Sequence, residues 1–421
     1  MSASLPHVEE HAELPGGFLA GGLSAGIKTS GRPDLGLIVV DGAGAASAAG
    51  VFTTNRVQAA PVTLSRHHLD LTGGRARAFV VTSGCANAAT GPAGDDDQAA
   101  IAAAVGAAFG VPPEETLAAS TGLIGTRLPV ARVRDGLAAL APTGLSATAH
   151  GFEAFATAMM TTDSRRKLAT TTVALPADDL SLRRVRVSGA AKGVGMIHPR
   201  MATMIAVILT DAAASPALLA DLLRDASAST FEQLSVDGDT STNDTVVVLA
   251  SGTSQAEAPR PGSPEAAQLG AALTAVCRSL ARQQAADGEG ASTLITCVVT
   301  GAADLVDARA VARAVVRSNL VKAAVHGRDP NWGRVAAAAG AAVRPDGTSV
   351  DLDPASLTIG LAGSAVFSGI PLPFEVASVS VAMDAPELVI ELDLGRGEAT
   401  AEAFGCDLTE AYVVENSAYS T

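Results

Sequence analysis

Short apolar runs alternate with Ala-rich segments along most of the chain. The apolar residues are mostly Ala and Val, so both helices and buried strands are favourable. The runs predict strands at residues 36–40, 78–82, 185–187, 204–209, 245–250, 292–300, 357–359 and 378–383. The segments between them predict helices at residues 97–109, 130–140, 152–160, 217–232, 264–284 and 307–318, and a further helix that begins at residue 331.

This alternation of strands and helices indicates an α/β fold built in layers. Residues 41–50 are rich in Gly and Ala but lead directly into a strand-like sequence, so we expect close packing there and no linker. The clearest linker is residues 254–263, which are rich in Pro, Gly and Ser and should form an exposed loop before a helix. The sequence shows no period of about 20–50 residues, which argues against a solenoid.

The charge balance excludes one class of function. The chain has 421 residues, with 29 Lys and Arg against 43 Asp and Glu, and a formal net charge of -14. With one Trp and two Tyr as well, it lacks the basic and aromatic surfaces that bind nucleic acid. Because 48% of its residues are apolar, it can bury a large core, and at roughly 100–200 residues per domain we expect two or three lobes.

The sequence indicates neither a membrane span nor an export signal. The uncharged, Ala-rich stretch of residues 98–113 is shorter than a span of about 20 residues and contains two glycines and a proline before its end. The first residues carry acidic side chains and no apolar core, unlike a signal or transit peptide. The cysteines stand far apart without a CxxC pair, as expected for reduced structural thiols and not for a metal site. We therefore expect a cytoplasmic protein.

Two short motifs match known sites but fail in their context. Residues 22–26 have the GxSxG spacing of a nucleophile elbow, yet we expect neither a strand before the serine nor a helix after it. Residues 237–241 resemble the start of a calcium loop, but Thr242 and Val248 stand where that loop needs glycine and glutamate. No glycine-rich phosphate loop lies between a predicted strand and helix, so no nucleotide cofactor is expected.

The segment with the most chemical information is residues 192–205, KGVGMIHPRMATMI, which runs directly into an apolar strand. Its glycines and proline predict an irregular loop, and Thr203 is expected where that loop meets the strand. A hydroxyl held there can attack the carbonyl of Ala202 and convert the amide to an ester, which water then splits. The freed α-amine of Thr203, with a reference pKa of about 7.7–8.0, can act as base for the hydroxyl. An ordinary threonine at the start of a strand is the alternative.

This segment resembles the self-cleavage region of the glutamate N-acetyltransferase (ornithine acetyltransferase) family, in which an Ala–Thr bond is cut and the threonine becomes the nucleophile. Further blocks are similar to the same family, in order, along nearly the whole chain. They are residues 14–18 (LPGGF), 26–28 (GIK), 50–57 (GVFTTNRV), 59–61 (AAP), 83–87 (SGCAN), 120–125 (STGLIG), 160–163 (MTTD), 237–245 (DGDTSTNDT), 287–291 (DGEGA), 327–334 (GRDPNWGR) and 416–421 (NSAYST).

The resemblance implies an acetyl transfer from N-acetylornithine to glutamate, a step of arginine biosynthesis. It also implies a layered αββα architecture with two lobes, cut into chains of residues 1–202 and 203–421, with the nucleophile where the lobes meet. Two or more processed pairs then associate, so we expect a heterotetramer or a larger assembly. The resemblance implies no metal or organic cofactor, and acetyl-CoA stays open as an alternative donor.

By the same resemblance, several residues outside the cleavage segment acquire roles. Thr121 and Gly122, expected in a glycine-punctuated turn, correspond to an oxyanion hole, where a hydroxyl or N–H stabilises the tetrahedral oxygen. Thr161, after a helix, corresponds to a hydroxyl that contacts substrate. Asn416 and Thr421 belong to a C-terminal segment that we expect to be anchored in the site. The alternatives are a capping turn, an ordinary helix end and a frayed tail.

Two charged residues are expected to recognise the charges of the substrates. Lys192 precedes a glycine that lets backbone and ligand approach, and a lysine there can pair with a substrate carboxylate. Glu289 stands between two glycines, and the resemblance assigns it to substrate binding, where a carboxylate can pair with an amine of ornithine. A solvated surface lysine and a solvated loop acid are the alternatives.

Two polar segments are interpreted as scaffold. The short side chains of residues 237–244 can bond neighbouring backbone groups and hold a tight loop before the strand at Thr245. In the second segment, Asn331 can cap a helix, Trp332 can be buried and Arg334 can lie near a carboxylate.

The chain departs from the family pattern near the expected site. His198 and Arg200 stand where alanine and asparagine are common, and Ser292 and Thr293 follow the DGEGA block where a lysine is frequent. Three alternatives therefore stay open: a paralogous acyltransferase of specialised metabolism, an N-acyl-amino-acid hydrolase that uses Thr203, and an amino-acid-binding protein that has lost turnover.

We predict that the chain cuts itself between Ala202 and Thr203. Intact-mass spectrometry should then show chains of 202 and 219 residues, since 421 minus 202 is 219. Thr203→Ala should stay uncut and inactive because it lacks the attacking hydroxyl, whereas Thr203→Ser keeps a hydroxyl and should still be cut. Wild-type protein that remains one active chain would contradict the prediction.

Overall fold

A computed structural model describes residues 5–141, 143–179, 181–198 and 204–418 of the chain. Four residues singled out above, Arg200, Ala202, Thr203 and Thr421, lie outside these described residues.

The strands in the described ranges are β1 Phe18–Leu23, β2 Leu35–Val40, β3 Ala46–Phe52, β4 Arg75–Ala76, β5 Ala78–Cys85, β6 Thr116–Leu123, β7 Lys167–Pro176, β8 Leu182–Lys192, β9 Ile205–Thr210, β10 Leu234–Ser235, β11 Thr245–Ala250, β12 Leu294–Ala302, β13 Thr358–Leu361, β14 Ser364–Ser368, β15 Ile370–Pro371, β16 Glu387–Asp393 and β17 Ala399–Cys406. The α-helices are α1 Ala60–Thr72, α2 Gly91–Phe109, α3 Val130–Leu140, α4 Ala149–Met159, α5 Pro216–Ser229, α6 Pro264–Ala286, α7 Leu305–Arg317, α8 Asn319–His326, α9 Trp332–Gly340, α10 Val376–Ala382 and α11 Glu410–Ala418.

In the described part of the chain the strands form three sheets, which confirms the predicted α/β class. The first sheet has the order β1-β2-β5-β6, and the central sheet has the order β4-β3-β11-β9-β8-β7. The third sheet has the order β10-β17-β12-β16-β13-β14-β15. In the central sheet, β9 and β11 run parallel, and each has an antiparallel neighbour, β8 and β3 respectively.

Alternate side chains of the central sheet enter different cores, as the two-residue period of a strand requires. On β9, Ile205 and Val207 pack in a cluster that also holds Phe79 of the first sheet and Phe155 of α4. Ala206 and its neighbours on the other face pack against α5 and α6. The outer face of the first sheet packs against α2 and α3. The two sheets therefore share a core that also contains α4, while α5 and α6 cover the other face of the central sheet and α2 and α3 cover the outer face of the first sheet.

The third sheet has a core of its own. Its strands β12, β13, β16 and β17 share an apolar cluster with helices α7, α8 and α9. Leu294 of β12 and Phe404 of β17 nevertheless pack in the core that the central sheet forms with α5 and α6, so the third sheet is in contact with that body.

Most long apolar runs have the predicted structure, but the strand predicted at residues 378–383 is wrong. These residues lie in helix α10 and the turn that follows it. Val379 and Met383 are buried, four residues apart, whereas Val376 and Val381 are largely exposed. Burial at a four-residue spacing suits one face of a helix, and this tertiary contact overrides the strand preference of valine.

Other expectations are corrected at the level of single elements. Residues 411–414 (AYVV), which are strand-like in sequence, lie in helix α11. A strand, β1, does precede Ser24, contrary to expectation, while β2 and not a helix follows the GxSxG motif. Arg334 donates to the carbonyl of Leu320 (2.9 Å) and not to a carboxylate.

Several local predictions are confirmed. Residues 254–263 form a loop, and Ser263 caps α6 by accepting the N–H of Ala266. Asn331 caps α9, and Trp332 stacks on Phe367 with ring centroids 5.0 Å apart. All cysteines are free and buried. Within the described ranges, no helix combines the length and apolar character needed to cross a bilayer.

Candidate active site

A cavity of about 390 Å³ opens beside the ends of strands from the first and central sheets. Strand β6 contributes two residues near its C-terminal end, and β8 contributes its last residue. Loops after α4, β8 and α6, residues 239–243 and one face of α11 also line the cavity. The predicted site residues that line it are Thr121, Gly122, Thr161, Lys192, Glu289 and Asn416.

Thr121 and Gly122 lie in strand β6 and not in the turn that the sequence suggested. The Thr121 side chain is buried, and its Oγ1 accepts a hydrogen bond from Lys192 Nζ (3.2 Å). Gly122 has a φ of +125°, and a Cβ there would overlap the backbone of Gly84 on the neighbouring strand. Only glycine suits this conformation and this close approach. The bond from Lys192 leaves the Thr121 hydroxyl with its own proton to donate.

The Lys192 side chain is buried, so it is not a solvated surface lysine. Burial lowers the pKa of its ammonium, because the charged form loses hydration. The carboxylates of Asp163 and Glu289 act in the opposite direction and favour the charged form. The result is a cation that is poorly solvated and partly compensated, which can bind an anion placed in the cavity.

Glu289 is held at both its backbone and its carboxylate. Its N–H donates to the carbonyl of Val194 (2.8 Å), while Oε1 accepts from Thr162 Oγ1 (3.2 Å) and Oε2 from Asn416 Nδ2 (2.8 Å). A Cβ at Gly195 would overlap the carboxylate, so glycine at that position lets Glu289 lie against the loop that follows β8. These contacts exclude a freely solvated loop acid.

Helix α11 brings the C-terminal segment to the cavity. Asn416 reaches Glu289 from this helix, and Thr409, just before the helix, donates from Oγ1 to the Gly290 carbonyl (2.7 Å). Tyr412 also lines the cavity, and burial together with the nearby Asp237 carboxylate raises its pKa above the ordinary tyrosine range. The sequence analysis did not select Tyr412; that it is one of only two tyrosines in the chain was the available signal.

Thr161 lies in the turn after α4, as expected. Its N–H donates to Asp163 Oδ2 (3.0 Å), so the backbone of this turn is fixed by a buried carboxylate two residues further on. An aspartate that accepts the N–H of a residue two before it stabilises such a turn locally. The turn presents Thr161 and Thr162 to the cavity.

Two aspartates, the partly buried Asp237 and the buried Asp244, bind backbone N–H groups of the described residues on either side of residues 199–203. Asp237 accepts the N–H groups of Met196 and Ile197, the latter at 2.8 Å. Asp244 Oδ1 accepts the N–H of Met204 at 3.1 Å. Burial raises the pKa of Asp244 well above its ordinary value, and the Met204 N–H opposes this only in part. These bonds agree with the scaffold interpretation of residues 237–244.

The same polar segment also lines the cavity, which the sequence analysis missed. Residues 239–243 lie on the wall, and Asn243 Nδ2 donates to the carbonyls of Ala86 (2.7 Å) and Ser120 (2.8 Å). This amide connects the central sheet to the end of β6, next to Thr121. A run of short polar side chains directly before a fully buried strand was the signal.

The departures from the family pattern that can be located do not line this cavity. His198 Nδ1 lies 3.3 Å from Ser235 Oγ, and His198 is not among the residues that line the cavity. Ser292 binds the buried carboxylate of Asp407 through both its N–H (2.8 Å) and its hydroxyl (2.6 Å), and the Thr293 N–H joins them (3.0 Å). These bonds of Ser292 and Thr293 with Asp407 stabilise the end of the DGEGA loop.

The cavity therefore combines a buried ammonium, a hydroxyl with a free proton and a restrained carboxylate. Such a set can bind a small molecule that carries both signs of charge and can stabilise an oxyanion beside it. In the described part of the chain, no cluster of three or more His, Cys, Asp or Glu side chains is arranged to hold a metal ion.

The chain is similar to known proteins over nearly its whole length. Residues 19–421 match the model of the ArgJ family. The arginine biosynthesis bifunctional proteins ArgJ of Thermosynechococcus vestitus and Synechocystis are 45% and 44% identical, with 96% and 98% of both chains covered. A solved structure of ornithine acetyltransferase from Mycobacterium tuberculosis in complex with ornithine is 39% identical, with a TM-score of 0.40; the match covers 46% of this chain and 97% of that one.

We predict that a carboxylate ligand binds in the cavity only while Lys192 is protonated. Because burial lowers the Lys192 pKa, the ammonium loses its proton at a pH below the ordinary lysine value of 10.5, and affinity should fall from that lower pH upward. Calorimetric titration with ornithine or glutamate between pH 7 and 10.5 would measure this. Lys192→Met should bind weakly at every pH, and constant wild-type affinity up to pH 10.5 would contradict the prediction.

Proposed function

The chain belongs to the ArgJ family, and on that premise we propose that it transfers an acetyl group from N-acetylornithine to glutamate through an ester on Thr203. It is an acyltransferase of arginine biosynthesis. The observation that carries the proposed reaction is the cavity in which Lys192, Thr121 and Glu289 stand together. Ornithine and glutamate each carry charges of both signs, which the ammonium and the carboxylate can pair with.

The proposed reaction has two half-reactions. In the first, the Thr203 hydroxyl attacks the acetyl carbonyl of N-acetylornithine, and its proton passes to the α-amine of Thr203. The C–N bond then breaks, the proton moves to the leaving nitrogen of ornithine, and the acetyl group remains as an ester on Thr203. In the second, the glutamate amine attacks the ester, the C–O bond breaks, and the Thr203 oxygen regains a proton. No cofactor takes part, and acetyl-CoA remains a predicted alternative donor.

Thr121 and Gly122 are proposed to stabilise the tetrahedral intermediates. The Thr121 hydroxyl already accepts from Lys192, so it is oriented to donate its own proton to an oxyanion. The adjacent positive charge of Lys192 strengthens this hydroxyl as a donor, because linked hydrogen bonds polarise one another. The N–H of Gly122 is the second proposed donor.

Self-cleavage at Ala202–Thr203 is part of the same proposal. Strands β8 and β9, which flank the cut, pair side by side, and β3 pairs with β11 across the two products. Chains of residues 1–202 and 203–421 would therefore remain joined by a shared sheet and shared cores. The helix, sheet, sheet, helix order of those cores supports the αββα architecture. Association of two or more processed pairs and a cytoplasmic location stay predictions.

We predict a covalent acetyl-enzyme. Incubation with N-acetylornithine alone should add about 42 Da to the chain of residues 203–421, and glutamate should remove it, because the acetyl group waits as an ester between the half-reactions. Mass spectrometry of both chains makes this measurement, with the chain of residues 1–202 as internal control. If the acetyl group is released as acetate as fast without glutamate as it is removed with glutamate, the protein is the hydrolase. The absence of any adduct would contradict the proposal.

We also predict that Thr121→Ala lowers kcat by about 10²–10³ with a much smaller change in the KM for N-acetylornithine. The reason is that an oxyanion donor acts in the transition state and only weakly in the ground state. Thr121→Ser keeps the hydroxyl and is the matched control, which should retain most of the activity. If the two variants lose activity equally, the hydroxyl of Thr121 is not the donor.

A further inference from the structure

A buried lysine that takes no part in the proposed reaction lies behind the cavity. Lys167, the first residue of β7, donates from Nζ to Asp163 Oδ1 (2.7 Å) and to Asp287 Oδ2 (2.6 Å). The side chains of Lys167 and Asp163 are 0% exposed, and that of Asp287 is 7% exposed. Charges removed from water in this way depend strongly on one another, because each would be costly alone.

Asp163 connects Lys167 to two of the proposed substrate-binding residues. Its Oδ2 accepts the N–H of Thr161 (3.0 Å), and its Oδ1 accepts the N–H of Gly193 (2.8 Å), the residue directly after Lys192. Burial alone would raise the pKa of Asp163, but the ammonium groups of Lys167 and Lys192 outweigh it and hold the pKa below the ordinary value. Asp163 is therefore an anion, which makes both N–H bonds charge-assisted.

Asp287 connects Lys167 to the third of these residues. It follows α6 directly and stands two positions before Glu289. Its carboxylate accepts the N–H of Ser164 (3.2 Å) and the Ser164 hydroxyl. The loop that carries Glu289 is thus bound to the turn that carries Thr161. The Lys167 ammonium lies between the carboxylates of Asp163 and Asp287 and pairs with both.

We propose that Lys167 is a positioning residue that sets the spacing of Thr161, Lys192 and Glu289 for an amino-acid substrate. The inference rests on the proposed function in one respect, that these residues bind the substrate. Lys167 itself reaches the cavity only through Asp163 and Asp287. Without its ammonium, the two carboxylates would repel each other, and the three segments they hold would separate.

Lys167 also influences the charge of Lys192. The charged groups that face Lys192 are the carboxylates of Asp163, Glu289 and Asp244 and the ammonium groups of Lys167 and Lys28. Lys167 repels the Lys192 cation and shares the Asp163 carboxylate with it. Removal of the Lys167 charge should therefore raise the pH at which Lys192 loses its proton. If Lys167 served only to fill space in the core, that pH would not change.

The test compares Lys167→Met, which keeps the length of the side chain but not its charge, with Lys167→Arg, which keeps the charge. Ornithine affinity by calorimetry should fall about tenfold or more in Lys167→Met, roughly 1.4 kcal/mol, and should be partly restored in Lys167→Arg. The alkaline limit of binding should move to higher pH in Lys167→Met alone. Wild-type affinity and an unshifted alkaline limit in a folded Lys167→Met would overturn the proposal.

Two further variants separate positioning from general stability. Arg344→Met removes the cation that pairs with another buried aspartate, Asp307, in the third-sheet body (2.7 Å), and should lower stability without changing ornithine affinity. If Lys167→Met does not fold, the double variant Lys167→Met, Asp287→Asn removes one charge of each sign and should fold. It should still bind ornithine weakly, because the link between the two loops is gone; wild-type affinity in this variant would overturn the proposal.

Hydrogen–deuterium exchange tests the same inference without a substrate. In Lys167→Met or the double variant, residues 161–164 and 287–291 should exchange faster together, by about tenfold or more, while Arg344→Met should leave both segments unchanged. If the wild type binds no ornithine but this joint increase is seen, the proposed function is wrong and the positioning role stands. If exchange in the two segments is unaffected, the positioning role is wrong whatever the substrate.

Discussion

The register of the inner strands β8, β9 and β11 of the central sheet determines where the chemically important residues lie. Lys192 at the end of β8 pairs with Ile205 at the start of β9, and Ile205 pairs in turn with Thr245 at the start of β11. A slip of one residue would turn every side chain of a strand to the opposite face and expose the two cores that these strands separate. The cores therefore enforce the register, and the register places Lys192 at the cavity and Met204 beside Asp244 at the same end of these strands.

The second constraint is the cost of buried charge. Loss of one partner from a buried ion pair costs about 3–5 kcal/mol, a large part of a typical net stability of about 5–15 kcal/mol. The chain meets this cost differently at two fully buried aspartates. Asp163, beside two ammonium groups, has its pKa lowered and stays ionised, whereas burial raises the pKa of Asp244, which is hydrogen-bonded by the Met204 N–H and the Thr53 side chain. Burial alone does not decide the charge of a carboxyl group; its neighbours do.

The arrangement separates the groups that contact substrate from those that hold them. Thr121, Lys192 and Glu289 face the cavity, while Asp163, Lys167 and Asp287 lie behind it. A cavity wall built from a strand end, a loop and a terminal helix has little rigidity of its own, since each part belongs to a different element. Charge-assisted bonds between these elements supply that rigidity, and precise spacing of the groups that bind substrate is what acyl transfer needs.

The sequence by itself determined the α/β class, most of the longer helices, strands such as β5, β9, β11 and β12, the family and the residue types suited to the chemistry, because periodicity, turn residues and motifs are local properties. It did not predict the strands β3, β6, β7, β16 and β17. It did not determine that residues 378–383 form a helix, that Thr121 lies in a strand, or that Tyr412 lines the cavity. Nor did it select Lys167, which follows two arginines in a segment that the sequence analysis assigned to no element. Its carboxylate partner Asp287 lies 120 residues away. Only the tertiary structure brings such distant charges together and removes water from them, and that burial decides their strength and their role.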